Sequence, residues 1–196
     1  MKNLSPRAKR ILLVLAQDEA RKIGSTQLLP EHVLLALLKM GEGIGFTAIE
    51  KLGLSSVKLQ QVLDDFFKDE SHSPTLDTIP KSRRYQFMLD IADIESSALH
   101  NDYIGTEHLL LAAIRDEDGI VSNFFSKAGY NIMDTRFTVM ELQTEGKSSI
   151  RQQDAENLVD SVFRSLLNDD AGGDIAQELV GVGRQLGMDK AHAQGE

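Results

Sequence analysis

The sequence predicts an all-α protein of about eight helices, arranged as two four-helix halves related by a pseudo-two-fold axis, with a C-terminal tail that is helical or flexible. Two observations lead to this prediction. Apolar residues recur three or four positions apart between sparse Pro and Gly, which is typical of amphipathic helices. In addition, the pair Glu31-His32 returns 76 residues later as Glu107-His108, within a longer matching stretch. No convincing alternation of apolar and polar residues indicates a strand.

Recognisable end signals delimit four helices in the first half. Ser5 is the predicted N-cap of the first helix, and Gly24 ends it. The second helix begins at Pro30 and is apolar around most of its circumference, so we expect it at the centre of the core. A short third helix is predicted over about 46–52. Ser56 is the predicted cap of the fourth.

The second half repeats these elements with one difference in register. Leu13 matches Leu89 at an offset of 76, whereas Ser5 matches Ser82 only at an offset of 77. The first helix of the first half is therefore predicted to contain one extra residue. The central helices of the two halves are predicted to bury four leucines: Leu34, Leu35, Leu110 and Leu111.

The repeat also predicts the domain organisation. Residues 1–144 are predicted to form one double-repeat domain, with halves at about 1–67 and 80–144. Beyond it the repeat stops, and 145–196 is predicted to be an acidic C-terminal extension. The extension contains a clear amphipathic segment, 158–167, and a weaker one after it. We expect two marginal helices that dock on the repeat domain or mediate self-association.

Composition and charge exclude several classes of function. The chain has 21 Lys and Arg against 30 Asp and Glu, a formal net charge of −9, and no local basic patch that would favour nucleic acid. Its lack of cysteine removes disulfides and thiolate nucleophiles, and fits a reducing compartment. No apolar run reaches about 18 residues, and the N-terminus lacks a signal-peptide apolar region. The sequence therefore predicts a cytoplasmic protein that binds neither nucleic acid nor membrane.

The side chains that usually carry catalysis or bind metals do not cluster in the sequence. The histidines form no pair at zinc-binding spacing, and His32 and His108 are interpreted as half-buried residues that cap or pack at helix starts. The glycines of 41–45 and 181–187 follow helices and lack a closing Gly-Lys-Ser/Thr, so they are interpreted as helix ends. We expect no catalytic residue, no metal and no cofactor.

Four polar residues recur at helix starts in both halves. Ser5 and Ser82 begin the first helix of each half, and Glu31 and Glu107 begin the central helices. A glutamate there either stabilises the helix dipole or serves as a recognition group. If these glutamates are recognition groups, we expect both to be partly exposed beside a concavity.

Three stretches resemble one known family. They are Ala-Gln-Asp-Glu-Ala at 16–20, Pro-Glu-His-Val-Leu-Leu-Ala-Leu-Leu at 30–38 and Gly-Thr-Glu-His-Leu-Leu-Leu-Ala-Ala-Ile at 105–114. Over about 3–144 the chain is similar to the double repeat of the Clp amino-terminal domain, which precedes the ATPase rings of the Clp unfoldases. The resemblance implies a pseudo-two-fold bundle of eight helices. Because the chain lacks a Walker-A motif and is too short for an AAA+ module, we expect a freestanding domain that does not hydrolyse ATP.

The resemblance also implies roles for the four polar residues. In some family members each half binds a phosphorylated arginine, with an acidic residue pairing the guanidinium and hydroxyl groups near a helix start holding the phosphate. Glu31 and Glu107 match the acidic positions, and Ser5 and Ser82 match the hydroxyl positions. The start of the second half, 80–85, is more basic and bulkier than is usual in the family.

These observations predict a non-catalytic protein-interaction module that recognises clients, adaptors or a Clp ATPase in regulated proteolysis or unfolding. Its predicted partners are proteins, and self-association through the tail is a further expectation. The alternative is a small-ligand sensor or regulator, in which the groove between the two halves binds a metabolite.

Overall fold

The computed structural model describes residues 2–68, 78–116, 119–146 and 156–157. Internal contacts divide the chain into two compact units, 1–145 and 146–196, and within the second unit the described residues 156–157 are helical and exposed. The predicted amphipathic segment 158–167 lies outside the described residues. The domain boundary expected after residue 144 stays a prediction.

Four helices form the part of the first half that the structure describes. Helix α1 has three consecutive segments, Pro6–Arg10, the π-helical Ile11–Leu15 and Ala16–Ile23; α2 is Pro30–Met40, α3 is Ile44–Lys51 and α4 is Ser56–Phe66. Ser5 caps α1 as predicted, because its hydroxyl accepts a hydrogen bond from the Ala8 N–H at 3.2 Å. Ser55, one residue before the predicted cap, accepts the corresponding bond at α4.

The π-helical segment Ile11–Leu15 accounts for the extra residue of α1. Within it, the Ala16 N–H donates to the carbonyl of Ile11, five residues earlier. A π-turn contains one residue more than an α-turn. This extra residue explains why the repeat offset is 77 at Ser5 but 76 at Leu13. The corresponding helix of the second half, Arg83–Ala98, is α-helical throughout.

The described residues of the second half also form four helices. They are α5 at Arg83–Ala98, α6 at Thr106–Ile114, α7 at Ile120–Lys127 and α8 over 132–146. The prediction of an all-α fold with about eight helices is thus confirmed. Within the described ranges, the structure also contains two strands of two residues each that the sequence did not predict, β1 at Asn3–Leu4 and β2 at Tyr103–Ile104.

Short backbone pairings join the start of each half to the other half. Strand β1, just before α1, pairs in parallel with β2, just before α6, and the Ser5 N–H donates to the Ile104 carbonyl at 2.9 Å. In the same way, Leu28 precedes α2 and exchanges hydrogen bonds with Pro80 at 2.8 Å and Ser82 at 3.0 Å. Each capping serine therefore lies beside the start of the opposite half's central helix.

The two central helices, α2 and α6, pack against each other and form the middle of the core. In α2 every residue from Pro30 to Leu38 is buried, and in α6 every residue is buried. The four leucines predicted to be buried, Leu34, Leu35, Leu110 and Leu111, are each 0% exposed. Their predicted central position is confirmed.

Among the described residues, no single helix has both the length and the apolar character needed to cross a membrane. Helices α2 and α3, which meet at 83°, satisfy that test of length and composition only as a bent pair. Most of α2 is covered by the surrounding protein.

Replacing a central leucine should strongly destabilise the fold. Leu35→Ala or Leu111→Ala is expected to lower the free energy of unfolding by about 2 to 5 kcal/mol, because each removes a fully buried side chain and leaves a cavity. Urea unfolding followed by circular dichroism measures this change. Leu13→Ala is the matched control, since Leu13 is 55% exposed and should change stability by less than about 0.5 kcal/mol. Similar losses at all three positions would contradict the assignment of the core.

Candidate functional site

Each central helix begins with a Glu-His pair whose histidine closes the helix N-terminus. The Nδ1 atom of His32 accepts a hydrogen bond from the Leu29 N–H at 3.0 Å, and that of His108 accepts one from the Gly105 N–H at 2.8 Å. Burial lowers the pKa of both histidines to about 4, so both rings are neutral at pH 7. Both therefore have the capping role predicted for them, although they are fully rather than half buried.

Glu31, in the first turn of α2, is paired with an arginine of the other half. The Arg84 guanidinium donates to its two carboxylate oxygens, from Nη2 at 2.7 Å and from Nη1 at 3.5 Å. Arg84 also donates to Asp116 Oδ2, at 2.6 Å and 3.0 Å. Glu31 is only 1% exposed, whereas we expected partial exposure of a recognition group. The carboxylate already holds a guanidinium supplied by its own chain.

Glu107, the counterpart of Glu31, is equally buried but has no lysine or arginine partner among the described residues. Its carboxylate accepts long hydrogen bonds from Gln143 and Thr106, both at 3.4 Å. His108 Nδ1 lies 3.7 Å away, but this neutral ring uses its lone pair to accept the Gly105 N–H. Burial raises the pKa of Glu107, and its 3% exposure again differs from the partial exposure that we expected.

The start of α3 covers the start of α6. The Gly45 N–H donates to Thr106 Oγ1 at 3.0 Å, and a Cβ atom at Gly45 would lie 2.5 Å from the Thr106 carbonyl oxygen. A Cβ atom at Gly43 would lie 2.7 Å from Thr106 Oγ1. The interpretation of 41–45 as a helix end was therefore incomplete. Gly41 does end α2, whereas Gly43 and Gly45 allow the start of α3 to contact α6.

Each predicted serine lies near the glutamate of the other half, because Ser5 bonds to Ile104 and Ser82 bonds to Leu28. Ser5 lines a cavity of about 410 Å³, together with Pro6, Arg7, Arg10 and Glu42. Ser82 is 7% exposed, and its hydroxyl accepts a hydrogen bond from the Tyr85 N–H. A second cavity, of about 450 Å³, lies at the start of α5, with Arg84, Phe87, Asp90 and Asp116 among its lining residues.

Two further buried glutamates, Glu19 and Glu95, are 76 residues apart, which is the offset of the repeat. Glu19 pairs with Lys39 and, at 2.9 Å, with Lys22. Glu95 pairs with Arg115 at 3.0 Å and with Arg136 at 2.7 Å. The cations at 39 and 115 are 76 residues apart and lie at or just beyond the end of each central helix. These clusters attach the central helices to α1 and α5, so their role is structural.

Burial works against the ionised form of Glu19, but hydrogen bonds from Lys39 and Lys22 hold the pKa of this carboxyl below its usual value. Within the ranges that the structure describes, no group of three or more His, Asp or Glu side chains could hold a metal ion. Among the buried groups that recur in the repeat, His32 and His108 cap helices, and Glu19, Glu31 and Glu95 form ion pairs.

The family model that matches this chain is the Clp repeat (R) N-terminal domain, over residues 3–128 and 82–169. The chain belongs to this family. Curated relatives include the negative regulator of genetic competence ClpC/MecB of Bacillus subtilis, 32% identical over 137 residues, and the chaperone protein ClpB of Oceanobacillus iheyensis, 31% identical over 147 residues. These alignments cover 69% and 75% of the chain but 16% and 18% of the relatives, so the chain spans less than a fifth of their length.

Solved Clp N-domains have the same fold. The Hsp104 N-terminal domain of Candida albicans superposes with a TM-score of 0.61 at 22% identity, covering 72% of this chain and 92% of that one. A ClpV N-domain in complex with a VipB peptide gives a TM-score of 0.59 at 18% identity, covering 71% and 88%. At these identities the structures establish the Clp repeat fold and leave the ligand of this chain open.

The raised pKa of Glu107 predicts how a Glu107→Gln variant will respond to pH. The folded protein binds the Glu107 proton more tightly than the unfolded chain, so this group lowers stability as pH rises above its ordinary pKa of 4.5 and through the raised value. The Glu107→Gln variant has no such loss of stability. The difference in free energy of unfolding, variant minus unmodified protein, should therefore increase from about pH 4.5 to about pH 8 in urea titrations. A difference that does not change with pH would contradict the assignment.

Glu31→Gln is the matched control for this measurement. It removes the charged partner of Arg84 and should lower the free energy of unfolding at pH 7 by about 1 to 3 kcal/mol. Protonation of His32 and His108 lowers the free energy of unfolding of every variant as pH falls from 6.5 towards 4. This contribution therefore cancels in the difference between a variant and the unmodified protein. Equal effects of the two substitutions at pH 7 would show that the glutamates are equivalent.

Proposed function

We propose that the chain is a non-catalytic protein-interaction module that recognises clients, adaptors or a Clp ATPase in regulated proteolysis or unfolding, with Glu107 pairing an arginine of the partner. The observation that carries this proposal is the unequal pairing of the two glutamates. Glu31 holds the guanidinium of Arg84, whereas Glu107 has no cation within the described ranges. A buried carboxylate without a cation is unfavourable, and an incoming guanidinium supplies both the charge and the N–H donors.

The surroundings of Glu107 suit an arginine that carries a phosphate. Arg7 and Arg10 line the cavity beside Ser5 at the start of α1, where cations and helix N–H groups favour an anion. A Cβ atom at Gly43 would contact both Thr106 and, at 3.4 Å, Arg7 Cδ, so this basic cavity adjoins the start of α6. Ser5 and Glu107, which come from different halves, thus belong to one recognition site in this proposal.

Gln143 of α8 donates a hydrogen bond of 3.4 Å to the Glu107 carboxylate, and an incoming guanidinium would replace this bond in the proposal. Recognition at Glu31 and Ser82 instead requires Arg84 to leave a bond of 2.7 Å. We therefore propose Glu107 and Ser5 as the recognition groups, with Glu31 and Ser82 in the same role only after Arg84 is displaced.

Two observations bear on the broader choice between functions. The ClpV N-domain, a structural relative, was solved with a bound VipB peptide, which supports protein binding by a domain of this fold. The small-ligand alternative places its site in the groove between the halves. The two cavities described above lie at helix starts instead, so this alternative stays a prediction.

Binding of a fluorescent peptide that contains phosphoarginine tests the proposed site. Glu107→Gln should weaken binding by about thirtyfold or more, because it removes one partner of a desolvated charge pair. Glu31→Gln is the control and should change the Kd by less than about threefold, since that carboxylate is already paired. Equal losses in the two variants, or no loss in Glu107→Gln, would overturn the assignment of Glu107.

A pull-down from cell lysate tests the module itself, whichever residues it uses. At low and moderate salt, the full chain should retain Clp subunits, adaptors or their clients. Recovery of none of these would count against a protein-interaction role even if the phosphoarginine peptide binds.

A further inference from the structure

Two arginines at corresponding positions of the halves have different partners. Arg7 and Arg84 each lie two residues after the serine that caps the first helix of the half. The Arg84 guanidinium reaches Glu31 of the opposite half at 2.7 Å. The corresponding target of Arg7 is Glu107, yet Arg7 pairs with Glu42 at 3.4 Å. The two halves therefore show two different positions of one repeated side chain.

Backbone hydrogen bonds attach the two helix starts to the opposite half in the same way. The Ser82 N–H donates to the Leu28 carbonyl at 3.0 Å, and the Ser5 N–H donates to the Ile104 carbonyl at 2.9 Å. Each acceptor lies three residues before the glutamate of its central helix, and each donor lies two residues before the arginine. The backbone frame that places one arginine within reach of the opposite glutamate is therefore repeated around the other pair.

The side chain of Arg7 already lies close to the surroundings of Glu107. A Cβ atom at Gly43 would lie 3.4 Å from Arg7 Cδ and 2.7 Å from Thr106 Oγ1. That hydroxyl donates to the Glu107 carboxylate at 3.4 Å. Since water screens a buried charge less than an exposed one, a carboxylate 3% exposed attracts a nearby guanidinium strongly. A contact at the surface is therefore needed to keep Arg7 away from this carboxylate.

Glu42 supplies that contact from the turn between α2 and α3. The glycines that flank it, Gly41 and Gly43, have φ angles of +64° and +99°, which glycine adopts without steric cost. The turn places the Glu42 carboxylate beside Arg7, where the two side chains are 50% and 57% exposed. Both groups also line the cavity at Ser5. The ion pair thus holds the guanidinium at the mouth of this cavity.

The acidic residue beside Arg84 acts differently. Asp116 bonds Arg84 at 2.6 Å while the same guanidinium holds Glu31 at 2.7 Å, so these two acids share one arginine. In the first half, Glu42 holds the arginine and Glu107 does not. The turn acid and the buried glutamate therefore compete for Arg7.

From this difference between the halves we infer that Glu42 is a positioning residue, whose ion pair keeps Arg7 off Glu107 and so leaves that carboxylate available to the arginine of a partner. The inference rests on the proposed role of Glu107 as a recognition group. It adds a residue that sets how much of the protein has an open site. Without Glu42, Arg7 takes the position that Arg84 has at Glu31, and the site is blocked by the chain itself.

Binding of a fluorescent phosphoarginine peptide to the full chain tests this inference. Glu42→Gln should raise the Kd about three- to fivefold, the range that a surface ion pair supplies. Glu50→Gln removes the same charge from an exposed residue of α3, so it is the matched control and should bind normally. An unchanged Kd in Glu42→Gln would overturn the inference. A lower Kd would also overturn it, because Glu42 would then compete with the phosphate for Arg7.

Urea unfolding at pH 7 provides a second measurement that needs no peptide. In the Glu42→Gln chain Arg7 pairs with Glu107, so Glu107→Gln then removes a paired carboxylate. Its effect on the urea midpoint should be at least about 0.3 M more unfavourable in the Glu42→Gln chain than in the unmodified chain. Adding Arg7→Gln to both chains should abolish this difference. The same effect of Glu107→Gln in both chains would overturn the inference.

The two measurements distinguish a failure of this inference from a failure of the proposed function. If Glu107→Gln leaves peptide binding unchanged, Glu107 is not the recognition group, and the urea comparison decides whether Glu42 holds Arg7 off that carboxylate. If Glu107→Gln abolishes peptide binding while Glu42→Gln does not weaken it, the proposed site stands and the inference is wrong.

Discussion

The burial of two helices without a polar face is the constraint on which the rest of the structure depends. Helices α2 and α6 are surrounded by protein, so the N–H groups at their starts cannot be satisfied by bulk water. His32 and His108 provide internal acceptors at those starts. Toward the other end of the same helices, Lys39 and Arg115 reach the buried carboxylates of Glu19 and Glu95. The repeated polar residues thus solve the same problem in each half.

The constraint also explains why both repeated glutamates are buried. The Glu of each Glu-His pair lies in the first turn of a helix whose whole circumference is covered, so its carboxylate leaves water together with the backbone. In the first half, Arg84 neutralises Glu31 across the boundary between the halves. Arg7 of the first half contacts the exposed Glu42 instead, and among the described residues the Glu107 carboxylate accepts hydrogen bonds from Gln143, Thr106 and its own backbone. Two positions that match in sequence therefore differ in chemistry.

The proposed recognition site at Glu107 depends on both halves of the repeat. The Glu107 site forms where the halves cross, because β1 and the cap of α1 come from the first half while Glu107 comes from the second.

The sequence by itself determined the features that depend on local pattern. Helical periodicity and end signals were enough for the helices and their buried leucines, and the repeat was enough for the capping histidines and the extra residue of α1. Only the tertiary structure decided that the extra residue forms a π-turn, that each serine lies by the opposite half, and that Arg84 reaches Glu31 from 53 residues away. Local periodicity specifies which face of a helix is apolar. The partner of a buried charge depends instead on how segments that are distant in sequence approach each other, and the spacing of residues along one helix does not encode that approach.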